Sequence, residues 1–367
     1  MSTTDGNPGA TPKSDGAPLA AGRFPTFPQL DGFRGLAVLL VLVEHTLHHS
    51  VQKFGFWDHF GNLGVILFFG LSGFLITGLL AAEWERKQKI DLPAFYMRRG
   101  LRIIPALYAL LAVMVILKLI HAVTDVGWVG FAEAGIFVRN LFGSDTSLSH
   151  LWSVSIEMQY YLFWPWVFVL FGVRGAWRVG WGLLLAVVLW RTFAIVIMRH
   201  PVIDPTLYLR TDYRLDAILA GSLLALSWRK GQASWWQASD AKGWRWIDPI
   251  WLLPLLMWWS YRGLDLPVIG SQWITGQVLL AAVLLARCLR FESSWFSRIC
   301  RTAGLRALGR WSYSIYLWQQ IFLVVQTPNW GWIRLFPVNL VFVMGAALLS
   351  HYLVEQPCLR LKSAWRR

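Results

Sequence analysis

Apolar residues gather along the chain in runs of about the length that crosses a hydrocarbon core, roughly 17 to 25 residues, with polar residues between them. Roughly ten such runs stand out, at about 33–50, 62–82, 102–123, 150–172, 179–198, 213–228, 247–261, 266–286, 311–327 and 335–354. Each predicts a membrane-spanning helix, so the expected fold is an all-α polytopic membrane protein. A further apolar stretch at 126–142 contains glycine and is broken by Glu133 and Arg139, which predicts a partly re-entrant segment. Residues 1–28 are rich in Gly, Pro, Ser, Thr and Ala, a composition with too little apolar surface to bury, and predict a disordered tail. One membrane domain over 29–357 and a basic tail over 358–367 complete the expected organisation.

The composition agrees, with 56% hydrophobic residues, 15% charged and a mean hydropathy of +0.47. A net charge of +14 could point to nucleic acid. The basic residues are instead scattered through short loops and form no stripe, which excludes that partner. Their placement follows the positive-inside rule. With ten spans and both termini cytoplasmic, inside segments hold 24 Lys and Arg residues and outside loops hold 6. Arg34, Lys118, Arg191 and Arg214 fall within or at the ends of spans. The three cysteines have neither metal-binding nor disulfide-framework spacing. No small-residue cleavage site follows the first apolar run, so no secretory signal is expected.

Ionisable residues inside such runs are costly and usually mark function. In the stretch DGFRGLAVLLVLVEHTLHHS, Arg34 and His45 are eleven residues apart. That spacing is about 20° past three turns and about 16 Å along the axis, so both project from nearly one helix face. Arg34 then lies near the cytoplasmic mouth and His45 halfway or more across; a snorkelling Arg34 and a His45 that bonds a neighbouring helix are an even alternative. Arg98, Arg99 and Arg102 gather at the next helix start but one, before Pro105, which is expected to bend or interrupt that span. Arginine forks suit phosphate, although most such runs are plain anchors. His150, Ser153 and Glu157 fall on one helical stripe. Arg214 and Asp216 are expected to pair at the membrane interface, more often a clamp than a catalytic device. Tyr313 and Tyr316 sit three apart, and His351 and Glu355 four apart.

In this order the segments LDGFRGLAVLLVLVEH, LFFGLSGFLI, RRGLRIIPALY and LWSVSIEMQYYL, followed by the looser YRLDAILAG, LGRWSYSIYLW and LVEQP, resemble the acyltransferase-3 family. These are integral membrane O-acyltransferases of bacterial polysaccharides and related glycosylated products. The resemblance runs from about Leu30 to Pro357, and the chain looks like the type without an appended hydrolase-like domain. It implies ten helices in the bacterial cytoplasmic membrane and transfer of a small acyl group, typically acetyl, from cytoplasmic acyl-CoA to a sugar hydroxyl. No permanently bound cofactor or metal is implied; acetyl-CoA is a co-substrate. His45 and Arg34 are implied to be essential, and Arg98, Arg99 and Arg102 to hold the donor. Two positions depart from the family pattern: Ile66 replaces an ionisable residue, and Gln319 stands where a histidine commonly follows YLW.

A histidine near neutral pKa is the natural general base for a sugar hydroxyl attacking a thioester. Glu44 diverges from His45 by about 100° around the helix, so Glu157 or His150 is expected to orient the base or bind the sugar. Trp152, Ser153, Arg214, Asp216 and Tyr316 are further candidates for contacting the saccharide acceptor. A glycan exporter is the main rival from another class. It would predict accumulation of substrate without covalent change, and it leaves no role for acyl-CoA.

Overall fold

The computed structural model describes residues 24–25, 27–50, 60–143, 145–200, 207–229, 267–291, 294–325 and 331–364. The expected span at 247–261 lies outside the described residues. Among the described residues every regular element is helical and no strand occurs. The helices are α1 (Pro28–Ser50), α2 (Phe60–Lys87), α3 (Leu92–Leu119), α4 (Trp128–Gly135), α5 (Arg139–Phe142), α6 (Leu151–Thr192), α7 (Thr211–Arg229), α8 (Pro267–Arg290), α9 (Trp295–Cys300), α10 (Ala303–Leu323), α11 (Val338–Ser350) and α12 (Gln356–Ala364). Short π-helical turns, Phe193–Ile197 and His351–Glu355, extend α6 and join α11 to α12.

Four helical stretches are long and apolar enough to cross a membrane: Phe60–Lys87, Leu92–Leu119, Leu151–Ile197 and Val338–Leu361. In the most apolar window of the first, 72% of residues are buried inside the molecule, against 28% in the third. The helix that is hydrophobic all round is therefore the central one, as a buried helix should be. Helix α6 instead turns Leu162, Phe163, Trp166, Leu170 and Leu185 outward, a surface suited to lipid.

Two expected spans, at 150–172 and 179–198, follow one another as two helical segments that meet at a kink within α6, the second running on through the π-helical turn Phe193–Ile197. Their division survives at Gly172, whose φ of 61° and ψ of −170° lie in a region open essentially to glycine alone. Pro105 lies inside α3, and that helix is not interrupted. The hydroxyl of Tyr313 donates to the Ile103 carbonyl at 2.8 Å in the turn around that proline, the kind of support by which a neighbouring helix lets a buried helix carry proline. At the start of α3, Asp91 accepts the Ala94 N–H at 3.1 Å, an ordinary N-cap. The 126–142 stretch forms the short helices α4 and α5, whose buried Arg139 binds both Glu133 and Asp145.

Helix α1 packs mainly against α10 and α2, and α2 against α7. A side chain on Gly309 of α10 would collide with the Asp31 carbonyl of α1, and one on Gly35 of α1 with the Leu305 carbonyl of α10. Close backbone approach through small residues is how helices associate where lipid removes the hydrophobic drive. Replacing Gly309 with Leu should therefore push α1 from α10 at a cost of about 1–3 kcal/mol or more. A lowered unfolding midpoint of the detergent-solubilised protein checks this; Gly345→Leu, where nothing lies within 4 Å of an added Cβ, should leave it unchanged.

Candidate functional site

The α1–α10 contact places the face that carries Arg34 toward α2, α3 and α6. Two adjoining cavities, of about 50 and 40 Å³, share Arg34, Phe68, Ser72, Glu157 and Tyr313 as walls and so form one narrow passage. Toward one end it is bordered by Arg99, Arg102 and Tyr161. Toward the other it is bordered by Val65, Phe69, Ser153, Val154 and Tyr316.

The first end is cationic. Arg99 lies over the rings of Phe95 and Tyr161, at 5.9 and 5.7 Å. Among the described residues, Arg34, Arg99 and Arg102 form no ion pair with a carboxylate, although Glu157 lies close enough to feel the charges of Arg34 and Arg99. Its carboxylate is engaged by the hydroxyls of Ser72 and Tyr161. The third arginine of the sequence cluster, Arg98, is half-exposed and turns instead toward Glu83 at 3.9 Å. A cluster of arginines without internal neutralisation suits the oxygens of a phosphate.

The other end is a hydrogen-bonded floor. Tyr316 donates to the His150 carbonyl at 2.9 Å, and its oxygen lies 2.7 Å from the Ser153 hydroxyl. The ring of His150, buried beside Tyr316, donates from Nε2 to the Leu317 carbonyl at 3.1 Å. One turn beyond Tyr316 on α10, the side-chain oxygen of Gln319 lies 2.6 Å from Nδ1 of His45. Because that oxygen accepts, Nδ1 donates to it, which in the neutral ring makes Nε2 the basic nitrogen. Gln320 then ties α10 to the entry of α6, donating to the Thr146 carbonyl at 2.7 Å and to Ser149 at 3.1 Å.

Glu157 or His150 is expected to orient the base or bind the sugar; Glu157 lines the passage, His150 bonds α10 backbone through Nε2, and the bond to Nδ1 of His45 comes from Gln319, a departure from the family pattern. Glu44 accepts the Gly61 N–H in the first turn of α2, so it satisfies a helix terminus and favours the positive end of its dipole. The expected Arg214–Asp216 pair does not form. Asp216 binds Arg191 at 2.8 Å, while Arg214 donates to Asn62 at 2.6 Å and lies over the rings of Tyr208 and Trp152. Residues two apart diverge by about 200° around a helix and meet different neighbours. Ser72 and Tyr161 were not singled out by spacing, although both lie in the motifs LFFGLSGFLI and LWSVSIEMQYYL.

The arrangement gathers arginines at one end of two small adjoining cavities and hydroxyls at the other; His45 lines neither cavity and meets the site through Gln319. A family model described as an acyltransferase domain matches residues 27–355. The chain is 30% identical to the peptidoglycan O-acetyltransferase OatA of Listeria monocytogenes, over 90% of this chain and 55% of that protein. It is also 30% identical to the putative peptidoglycan O-acetyltransferase YrhL of Bacillus subtilis, over 90% of this chain and 54% of the relative. The O-acetyltransferase OatA of Staphylococcus aureus is 29% identical, over 89% and 54%. The chain thus spans about half the length of these curated relatives. No solved structure matches it.

Replacing Gln319 with Leu should remove the acceptor that fixes the His45 tautomer. Nitrogen NMR of imidazole-labelled protein should then show His45 losing its preference for the proton on Nδ1, with the other histidines unchanged.

Proposed function

Because the chain belongs to the acyltransferase-3 family, we propose that it moves an acetyl group from acetyl-CoA to a hydroxyl of a glycan in the cytoplasmic membrane of a bacterium. The acceptor class follows the names of its relatives, which act on peptidoglycan. In this reading ten helices cross the bilayer with both termini cytoplasmic, which puts the arginine end of the passage on the side where acyl-CoA is made.

The observation that carries the reading is the passage itself. It leads from three arginines without ion pairs to the Ser153–Tyr316 floor, one helical turn from the residue that holds His45. Arg34, Arg99 and Arg102 bind the phosphates of coenzyme A, and Arg98 contributes only to the field at the surface. The pantetheine arm lies in the narrow passage past Glu157, whose bound hydroxyls keep its charge from drawing the arginines inward. Arg34 and His45 are about 16 Å apart along α1, so the thioester is delivered near the imidazole.

Nε2 of His45 takes the proton of the glycan hydroxyl as its oxygen attacks the thioester carbonyl. The tetrahedral intermediate collapses by breaking the C–S bond, and the proton passes from His45 to the departing thiolate. A positioned base of this kind contributes roughly 10²- to 10⁴-fold to rate. Ser153 and Tyr316, the hydroxyl groups of the floor, contact the acyl or sugar oxygens. His150 and Trp152 support this floor from behind, and Arg214 faces the acceptor, with Asp216 setting its helix through Arg191.

Replacing His45 with Ala should lower transfer of labelled acetyl to glycan in isolated membranes by about that same 10²- to 10⁴-fold at an unchanged protein level. Full retained activity sinks the assignment. Replacing Arg99 with Ala should raise the KM for acetyl-CoA about tenfold or more, as expected for one charge-assisted hydrogen bond of about 1.5–3 kcal/mol, and leave the glycan KM in place. A change in the glycan KM alone refutes the donor role.

A further inference from the structure

We propose that Arg214 is the core of a binding site for an oxyanion carried by the acceptor, either a sugar carboxylate or a phosphate. The proposal rests on the reading of the chain as a glycan acyltransferase and names the acceptor chemistry that the reading leaves open.

Among the described residues, the three most deeply buried arginines are not treated alike. Arg139 binds Glu133 and Asp145. Arg191 binds Asp216, the Tyr213 carbonyl and Thr275. Arg214, fully buried, donates to Asn62 and lies within reach of the Tyr208 hydroxyl, and it has no ion pair with a carboxylate among the described residues; its Nε and Nη1 find no acceptor. The rings of Tyr208 and Trp152 lie 4.8 and 5.6 Å from its guanidinium carbon. Such faces offset the cost of a buried, uncompensated charge only in part. Unspent donors on a charge this expensive point to an anion that arrives with the substrate.

The surroundings favour the same sign. Asn62, Trp152 and Arg214 each lie in the first turn of a helix, α2, α6 and α7, and all three helices start at this end of the molecule, opposite Arg99 and Arg102. Their N-terminal dipoles add positive potential there. The nearby carboxylates are committed: Glu44 to the Gly61 N–H and Asp216 to Arg191. Aromatic faces beside a guanidinium also suit a sugar ring that bears the charge. Trp152 meets Phe69 edge-on at 5.9 Å, and Phe69 walls the passage. The anion site therefore abuts the acyl-transfer floor and would fix which sugar presents its hydroxyl.

The test is binding without acyl-CoA, so that it does not depend on acyl transfer. The detergent-purified full chain is titrated with D-glucuronate, D-glucose or inorganic phosphate, with the unfolding midpoint and tryptophan emission as readouts. Glucuronate or phosphate should give a saturable stabilisation that glucose does not. Arg214→Gln should weaken it about tenfold or more, the equivalent of one charge-assisted hydrogen bond. Arg214→Lys should keep part of it, and Arg34→Gln should leave the glucuronate response intact. Glucuronate as the stronger ligand assigns a sugar carboxylate; phosphate as the stronger assigns a lipid-linked or phosphorylated acceptor. Phosphate binding that is lost in Arg34→Gln and kept in Arg214→Gln belongs to the donor end and overturns the proposal. Equal binding of glucose, or no anion binding that depends on Arg214, overturns it as well. Where Arg214→Gln fails to fold, the comparison of wild type with Arg214→Lys decides. If the anion binds as proposed and no acetyl transfer occurs, it is the enzymatic reading that fails.

Discussion

The site depends on how closely α1 and α10 can approach. Gly309 gives the Asp31 carbonyl room on one side and Gly35 gives room to the Leu305 carbonyl on the other, so the two backbones touch. The contact repays the lost side-chain packing by fixing registry. With Asp31 against Gly309, the same two helices bring His45 to Gln319 three turns further on, and they put Arg34 and Tyr313 on one wall. A bulkier pair of helices could still pack, but at a separation that no side-chain amide bridges.

Around this contact, the interior divides its cations by what surrounds them. Arg139 and Arg191 are neutralised by carboxylates and act as clamps between elements. Arg34, Arg99 and Arg102 are grouped around a cavity with the neighbouring carboxylate, Glu157, held by hydroxyls. Arg214 stands at the opposite end between two aromatic rings. Buried charge is expensive wherever it lies, so neutralised sites are structural and the unneutralised ones sit where a ligand can complete them. The histidine adjoins Glu44, whose partner Gly61 neighbours the Asn62 that bonds Arg214, while Arg34 lies eleven residues back on the same helix. That order fits a reaction in which a donor and an acceptor approach from opposite ends and meet at one base.

Glutamine at position 319 sharpens the chemistry of His45. The glutamine amide can donate or accept, and its Nε2 is directed to the Gln320 side-chain oxygen at 3.4 Å, so its oxygen faces His45 and accepts from Nδ1. Glu44, adjacent to His45 in sequence, acts on a different neighbour: it secures the first turn of α2 and so the position of Asn62, which in turn bonds Arg214. One stretch of α1 thereby carries Arg34, presents His45 to Gln319 and supports the surroundings of Arg214.

By itself the sequence determined the class of the fold, because the length of an apolar run and the cost of unpaired backbone in lipid leave a helix as the answer. It also determined that Arg34 and His45 share a face, since that follows from helical pitch alone. The family motifs marked the passage walls, Ser72 and Tyr161 among them, without saying what those residues do. What only the tertiary structure decided is pairing between helices. Asp216 is two residues from Arg214 and yet binds Arg191 of α6; Arg98 adjoins Arg99 and yet faces Glu83. His45 is held from α10, 274 residues away. Pitch fixes the direction in which a side chain leaves its own helix, but the identity of the atom it meets depends on interhelical distance, and that was set by where glycines let backbones touch.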